Sequence, residues 1–69
     1  MSELNKEIIA EKLKALRGER TQKEVGDAVG VTAMAISQYE QAERIPSDAI
    51  KIKLANYFNE TVENIFFTY

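Results

Sequence analysis

The side chains of this chain that can take part in chemistry are carboxylates, amides, hydroxyls and cations, because the sequence has no cysteine and no histidine. That inventory excludes thiol chemistry, disulfides, the usual zinc sites and catalysis by imidazole. Carboxylates such as Glu40 are present, but no recognisable catalytic constellation accompanies them. We therefore expect a protein that is not an enzyme and that needs no metal or cofactor.

The secondary-structure elements that position these side chains have to belong to one small domain. The chain has 69 residues, of which 45% are hydrophobic and 29% charged. It has room for one core, so we expect a single domain over residues 1–69. The formal net charge of −2 argues against a nucleic-acid partner. Cations clustered on one face can nevertheless bind phosphates while acids elsewhere set the total charge.

Neither the N-terminus nor any apolar run looks like a targeting or membrane segment. Residues Met1–Glu11 mix acids with lysines, where a signal peptide would have a basic stretch followed by an apolar one. No apolar run reaches the length that crosses a bilayer. We expect a soluble, cytoplasmic protein with no membrane partner and no small-molecule ligand.

The spacing of apolar residues predicts three helices in the first forty residues. The first runs from Leu4 to Arg17 and ends before a glycine. Thr21, with Glu24 three positions later, has the pattern of a capping box and starts a second helix, Gln22–Val29. Thr32 caps a third helix, Ala33–Glu40.

Two more helices follow the loop around Pro46. Ser47 caps the fourth helix, with Asp48 in its first turn. Thr61 starts a last short helix, from Val62 to about Phe67. The residues of this half that we assign to the core are Ile50, Leu54, Phe58, Val62 and Ile65.

The stretch TQKEVGDAVGVTAMAISQYE, residues 21–40, predicts two short helices packed across a turn of about three residues. Apolar side chains recur at Val25, Val29, Val31 and Ile36. Gly30 suits a helix end in the left-handed conformation. Gly26 is small enough to let the two helices approach closely.

This stretch, with LR at Leu16 and Arg17, IPS from Ile45 and LANYFNETVENIF from Leu54, resembles the Cro/cI-type (XRE-like) helix-turn-helix family. The resemblance covers roughly residues 13–67. It implies an all-α, five-helix lambda-repressor-like domain with the helix-turn-helix in helices two and three, and a third helix that enters the DNA major groove. A transcriptional regulator of this kind, which we expect to be a phage- or mobile-element-type repressor, binds a double-stranded operator with an inverted repeat.

The resemblance also assigns roles to residues. Gln38 is the candidate for direct base reading, because an amide can make two hydrogen bonds to adenine. Gln22 matches a glutamine that contacts phosphate and braces the recognition helix. Many relatives have polar side chains at the positions of Ala33 and Met34. The contact that these two apolar side chains can still make is with thymine methyl groups. The full set of expected DNA contacts is Thr21, Gln22, Thr32, Ala33, Met34, Ser37, Gln38, Gln41 and Arg44.

Two further assignments concern structure and assembly. Arg17 and Glu40 match an ion pair that links helix one to the end of helix three and fixes their relative orientation. The chain ends with three aromatic residues in four, Phe66, Phe67 and Tyr69, more than a small bundle ordinarily uses. We expect these residues to form a homodimer interface, as helix-turn-helix dimers read two half-sites.

A second function stays open at this stage. The same fold can serve as a protein-interaction module, such as an antitoxin, an antirepressor or an adaptor. Net acidity, Glu43 and the apolar pair Ala33 and Met34 favour that alternative, whereas Gln22, Gln38 and Arg44 argue against it.

Overall fold

The computed structural model describes residues 5–67, and within that range the chain consists of helices and loops without a strand. The five helices are α1 (Lys6–Arg17), α2 (Gln22–Val29), α3 (Ala33–Glu40), α4 (Asp48–Phe58) and α5 (Val62–Phe66). The predicted all-α, five-helix fold is confirmed. In this part of the chain no helix is long and apolar enough to cross a membrane, and no three side chains of the metal-binding types converge.

Each helix begins at a polar residue that caps it. In every case the capping side chain accepts a hydrogen bond from the backbone N–H three residues later, which satisfies a donor that the helix leaves free. The caps are Asn5, Thr21, Thr32, Ser47 and Thr61. Because Asn5 takes this role, α1 begins at Lys6 and not at the predicted Leu4. The fifth helix ends at Phe66, one residue before its predicted end.

One core is shared by all five helices. Its buried side chains include Ile9 and Leu13 of α1, Val25 and Val29 of α2, Ile36 and Tyr39 of α3, Leu54 of α4, and Ile65 of α5. Ile50, Phe58 and Val62, which we assigned to the core, are partly buried and pack against it. Burial of this shared apolar surface is the main force that holds the short helices together.

The turn between α2 and α3 depends on two glycines. Gly30 ends α2 with a φ of 84°, a left-handed conformation that glycine adopts without strain. The N–H groups of Gly30 and Val31 both donate to the carbonyl oxygen of Gly26, at 2.8 and 2.9 Å. A Cβ atom on Gly26 would lie 2.6 Å from the carbonyl oxygen of Val31. The absence of a side chain at Gly26 therefore permits the close packing that the sequence predicted.

The C-terminal aromatic residues divide between the core and the surface. Phe66 is fully buried against residues of its own chain, with 0% of its surface exposed. The prediction that Phe66 belongs to a dimer interface is therefore wrong, because its ring closes the core beneath α4. Phe67 is 37% exposed. Tyr69, the third residue of that prediction, lies outside the described residues.

In α4 a lysine is buried and an isoleucine is exposed, the reverse of what their side chains would predict. Lys51 is buried, and its Nζ lies 3.5 Å from Asp48 Oδ1 and near the rings of Phe66 and Phe67. Ile52, the next residue, is 54% exposed. One open groove is lined by Ile52, Val62 and Phe67 together with Asp48 and Lys51. We call these five residues the α4–α5 patch.

Candidate nucleic-acid interface

Helix α3 has one face in the core and one face exposed. Its buried residues are Ala35, Ile36, Tyr39 and Glu40. The opposite face, here the α3 outer face, consists of Ala33, Met34, Ser37, Gln38 and Gln41, which follow one another at helical spacing. It carries hydroxyl, amide and apolar groups and no carboxylate. Met34 is 70% exposed, so this face presents a large apolar side chain beside hydrogen-bonding groups.

The polar residues of this face hold one another in pairs. Gln41 Nε2 donates to Ser37 Oγ at 2.9 Å, a pair that their four-residue spacing makes predictable. Arg44 Nη1 donates to Gln38 Oε1 at 3.1 Å. The second pair depends on how the loop after α3 folds back, and no local sequence pattern indicates it.

That loop turns sharply at Ala42, whose φ of 62° is a left-handed conformation uncommon for a residue with a side chain. The N–H of Glu43 donates to the carbonyl oxygen of Gln38 at 2.9 Å, which closes the end of α3. Arg44 then lies with its guanidinium carbon 5.6 Å from the centre of the Tyr39 ring. The turn thus places one cation beside the α3 outer face.

A buried carboxylate joins α1, α2 and α3. Glu40 accepts from Arg17 Nε at 2.6 Å and from Arg17 Nη2 at 3.0 Å, so the structure brings the expected ion pair together. The side chain of Glu40 is 3% exposed. Its hydrogen bonds, with a smaller coulombic contribution, raise the pKa of Arg17 above the ordinary value. Gln22 Nε2 also donates to Glu40, at 3.2 Å, which ties the start of α2 to the end of α3.

The donors at the start of α2 and α3 keep spare hydrogen-bonding capacity. Because a carboxylate only accepts, Glu40 fixes which end of the Gln22 amide faces inward, and the second N–H on Nε2 stays available. The hydroxyl oxygens of Thr21 and Thr32 accept from backbone N–H groups at 3.0 Å, yet each hydroxyl can still donate its proton. These groups suit an external acceptor such as a phosphate oxygen.

Several other cations are engaged within the chain. Arg20 donates to the carbonyl oxygen of Leu16 and lies over the ring of Tyr57, 5.4 Å from its centre. Lys23 pairs with Asp27 at 2.8 Å, and that hydrogen bond raises the pKa of Lys23. Arg44, by contrast, is paired with a neutral amide, so its charge is not cancelled by its partner.

Comparison with known proteins agrees with this geometry. The helix-turn-helix family model matches residues 11–65. A comparison with curated protein sequences finds no match. Among solved structures, the P22 c2 repressor protein, crystallised in complex with synthetic operator 9T in the presence of Tl⁺, superposes with a TM-score of 0.82. The two chains are 27% identical, and the match covers 84% of this chain and 91% of that one. On this match, over most of its length, the chain belongs to the helix-turn-helix family.

Proposed function

We propose that this chain is a sequence-specific DNA-binding transcriptional regulator, a repressor of phage or mobile-element type that acts in the cytoplasm. In this proposal α3 enters the major groove of a double-stranded operator, and two copies of the chain read the two halves of an inverted repeat. The likeness to a repressor that was crystallised with an operator supports the proposal. Neither a cofactor nor a small-molecule ligand is part of it.

The observation that carries the proposal is the α3 outer face. It combines amides and hydroxyls with an exposed methionine, on a helix that is fixed by its cap and by the Glu40 hydrogen bonds. A rigid helix without carboxylates on its outer side can approach the base edges without repelling the DNA phosphates. The net charge of −2 is compatible with this, since no acid lies on that face.

The expected contacts divide into two classes. Thr21, Gln22 and Thr32, at the starts of α2 and α3, suit phosphate oxygens and would set the position of the protein on the duplex. Gln38 and Ser37 suit hydrogen bonds to base edges. Ala33 and Met34 suit thymine methyl groups, and Gln41 extends the same face toward the end of the helix.

The first experiment is the capture of random and source-genome DNA fragments by the purified chain, followed by sequencing. We expect enrichment of an inverted repeat whose binding weakens steeply as the salt concentration rises. Gln38→Ala should lower the affinity for that repeat by about fivefold or more, because one bidentate base contact contributes about 1–3 kcal/mol. Asn56→Ala removes an exposed amide from α4 and is the matched control.

Enrichment that does not exceed non-specific background would overturn the DNA-binding proposal. The alternative of a protein-interaction module would then be favoured, and a search for a protein partner would follow.

We propose the α4–α5 patch as the homodimer interface. Ile52 and Phe67 expose apolar surface there. Lys51 is buried and pairs with Asp48 of its own chain, so the apolar side chains would supply the contact between the two copies. An apolar surface of this kind can meet its own copy across a two-fold axis, as a symmetric dimer requires.

Sedimentation tests this interface. Ile52→Glu introduces a buried charge into the interface of the dimer but leaves the isolated fold intact, because Ile52 is exposed. We expect the wild type to sediment as a dimer that Ile52→Glu converts to a monomer with an unchanged circular dichroism spectrum. Ile8→Glu makes the same change on the exposed side of α1 and should stay dimeric. Identical sedimentation of wild type and Ile52→Glu would exclude this patch.

A further inference from the structure

The hydrogen bond between Arg44 and Gln38 fixes the orientation of the amide that faces the groove. A guanidinium group has donors only, so the Gln38 atom that lies 3.1 Å from Arg44 Nη1 has to be the carbonyl oxygen. The NH₂ group therefore points away from Arg44. If the amide rotated by half a turn, two donors would face each other and the hydrogen bond would be lost.

Arg44 is itself held in place by its surroundings. The left-handed turn at Ala42 and the bond from the Glu43 N–H to the Gln38 carbonyl set the direction of the loop. The guanidinium group lies over the ring of Tyr39, a residue that is nearly fully buried and so offers a fixed platform. The attraction between a cation and an aromatic face restricts the position of the guanidinium group further.

We infer that Arg44 is a positioning residue, which holds the Gln38 amide in one orientation and thereby sharpens the choice of base pair. The inference rests on the proposed function. In the major groove adenine presents an acceptor at N7 and a donor at N6, in a fixed order. A fixed amide matches that order on one strand, and its oxygen retains a second lone pair for N6–H. An amide that rotates freely also adapts to the same base pair when it is reversed.

The test compares base discrimination with salt dependence on the enriched operator. The relevant base pair is the one at which Gln38→Ala abolishes discrimination between A·T and T·A. At that pair we expect Arg44→Ala to lower discrimination roughly tenfold, and to leave discrimination at the other positions unchanged. In the Gln38→Ala background, Arg44→Ala should have no effect on discrimination, because Arg44 has no amide left to orient.

A different result would overturn the inference. If Arg44 only contacts a phosphate, Arg44→Ala will weaken binding uniformly across sequences and lower the salt slope by about one. Discrimination at the Gln38 base pair would then equal that of the wild type. Arg44→Lys keeps the charge and a donor but not the guanidinium group that lies over the Tyr39 ring, so in the positioning role it should keep the salt slope and lose less discrimination than Arg44→Ala.

A second measurement needs no operator. Nuclear magnetic resonance relaxation of side-chain NH₂ groups in the free protein reports how ordered each amide is. We expect Arg44→Ala to lower the order parameter of the Gln38 amide and to leave that of Gln41, which is held by Ser37, unchanged. Equal order of Gln38 with and without Arg44 would exclude positioning even if an operator is found. Absence of an enriched operator would instead overturn the proposed function alone.

Discussion

At the scale of single residues, Glu40 ties the end of α3 to α1 and α2. This carboxylate accepts two hydrogen bonds from Arg17 and one from Gln22, so it joins three helices at one point. A buried ion pair of this kind contributes little net free energy, but the loss of one partner leaves a buried charge without compensation. The intact pair therefore sets where α3 lies, and the removal of one partner alone destabilises the fold.

The first prediction concerns removal of the cation. Arg17→Ala leaves the Glu40 carboxylate buried, with the neutral amide of Gln22 as the side-chain donor that remains among residues 5–67, so we expect a loss of about 3 kcal/mol in the free energy of unfolding. That is large for a domain of this size, whose core supplies about 3–5 kcal/mol. Urea unfolding of the wild type and of Arg17→Ala, followed by circular dichroism, measures this loss in the free energy of unfolding. Lys14→Ala removes an exposed cation from the same helix and should cost less than about 0.5 kcal/mol.

The same variant has an expected pH dependence. Glu40 raises the pKa of Arg17, so the contribution of Arg17 is complete below the unfolded-state pKa and is lost only as the pH rises through the folded-state pKa. The folded-state and unfolded-state pKa values of Arg17 both lie far above neutral pH. The difference in stability between wild type and Arg17→Ala should therefore be the same at about pH 7 and about pH 9. A difference that shrinks over this range would contradict the assignment.

The exposed methionine of α3 supports a second prediction at this scale. If Met34 packs on a thymine methyl group, replacing that thymine with uracil removes one buried methyl group worth about 0.8 kcal/mol. Affinity for the operator should then fall about fourfold. Met34→Ala should bind the thymine and uracil operators almost equally. Equal affinity of the wild type for both, at every thymine of a half-site, would leave Met34 without this role.

At the scale of elements, the packing of α2 on α3 reverses the usual effect of a glycine substitution. Alanine is normally more favourable than glycine inside a helix by about 1 kcal/mol. At Gly26 a Cβ atom would lie 2.6 Å from the Val31 carbonyl oxygen, so the two helices have to separate. We expect Gly26→Ala to destabilise the fold by about 2 kcal/mol in thermal unfolding.

A matched control lies two residues away in the same helix. Ala28 is exposed, so Ala28→Gly measures helix propensity without a change in packing and should cost about 1 kcal/mol. An increase in melting temperature for Gly26→Ala would mean that the helices do not pack as closely as the structure indicates.

The end of α3 gives the opposite prediction. Ala42 has a φ of 62°, which is strained for a residue with a Cβ atom but free of strain for glycine. Part of this gain is offset by the greater freedom of glycine in the unfolded chain. We expect Ala42→Gly to stabilise the fold by about 0.5 kcal/mol in urea unfolding. Gln41→Gly, at a φ of −101°, has no strain to relieve and should destabilise it.

The elements that the sequence predicted well are those whose signals are local. The bounds of α2 and α3 were correct because Thr21, Glu24, Gly30 and Thr32 act within a few residues of one another. The division of α4 and α5 into core and surface depends on contacts distant in sequence. For that reason the burial of Lys51 was not foreseen, and Phe66 was assigned to an interface although it lies in the core. The Arg44–Gln38 pair needed the geometry of a complete loop.

At the scale of the whole molecule, charge and shape bear on the same proposal. Exposed acids lie on α1, α2, α4 and α5 and in the loops, whereas none of the five residues of the α3 outer face is an acid, although Glu43 lies in the loop that follows them. The domain measures 34 by 22 by 20 Å. In the proposed dimer the two α3 helices have to lie about 34 Å apart to enter successive major grooves on one side of DNA.

The proposed dimer predicts that binding is sensitive to the spacing of the half-sites. Inserting about five base pairs at the centre of the enriched repeat turns one half-site to the opposite side of the duplex, where a rigid dimer cannot reach it. We expect wild-type affinity to fall roughly a hundredfold, to that of a single half-site, because the second contact loses its high effective concentration. Ile52→Glu, if monomeric, should bind the original and the expanded repeat with the same low affinity. Titration of both proteins on both duplexes by fluorescence anisotropy measures this, and wild-type binding that ignores the insertion would show that the two copies do not act as one dimer.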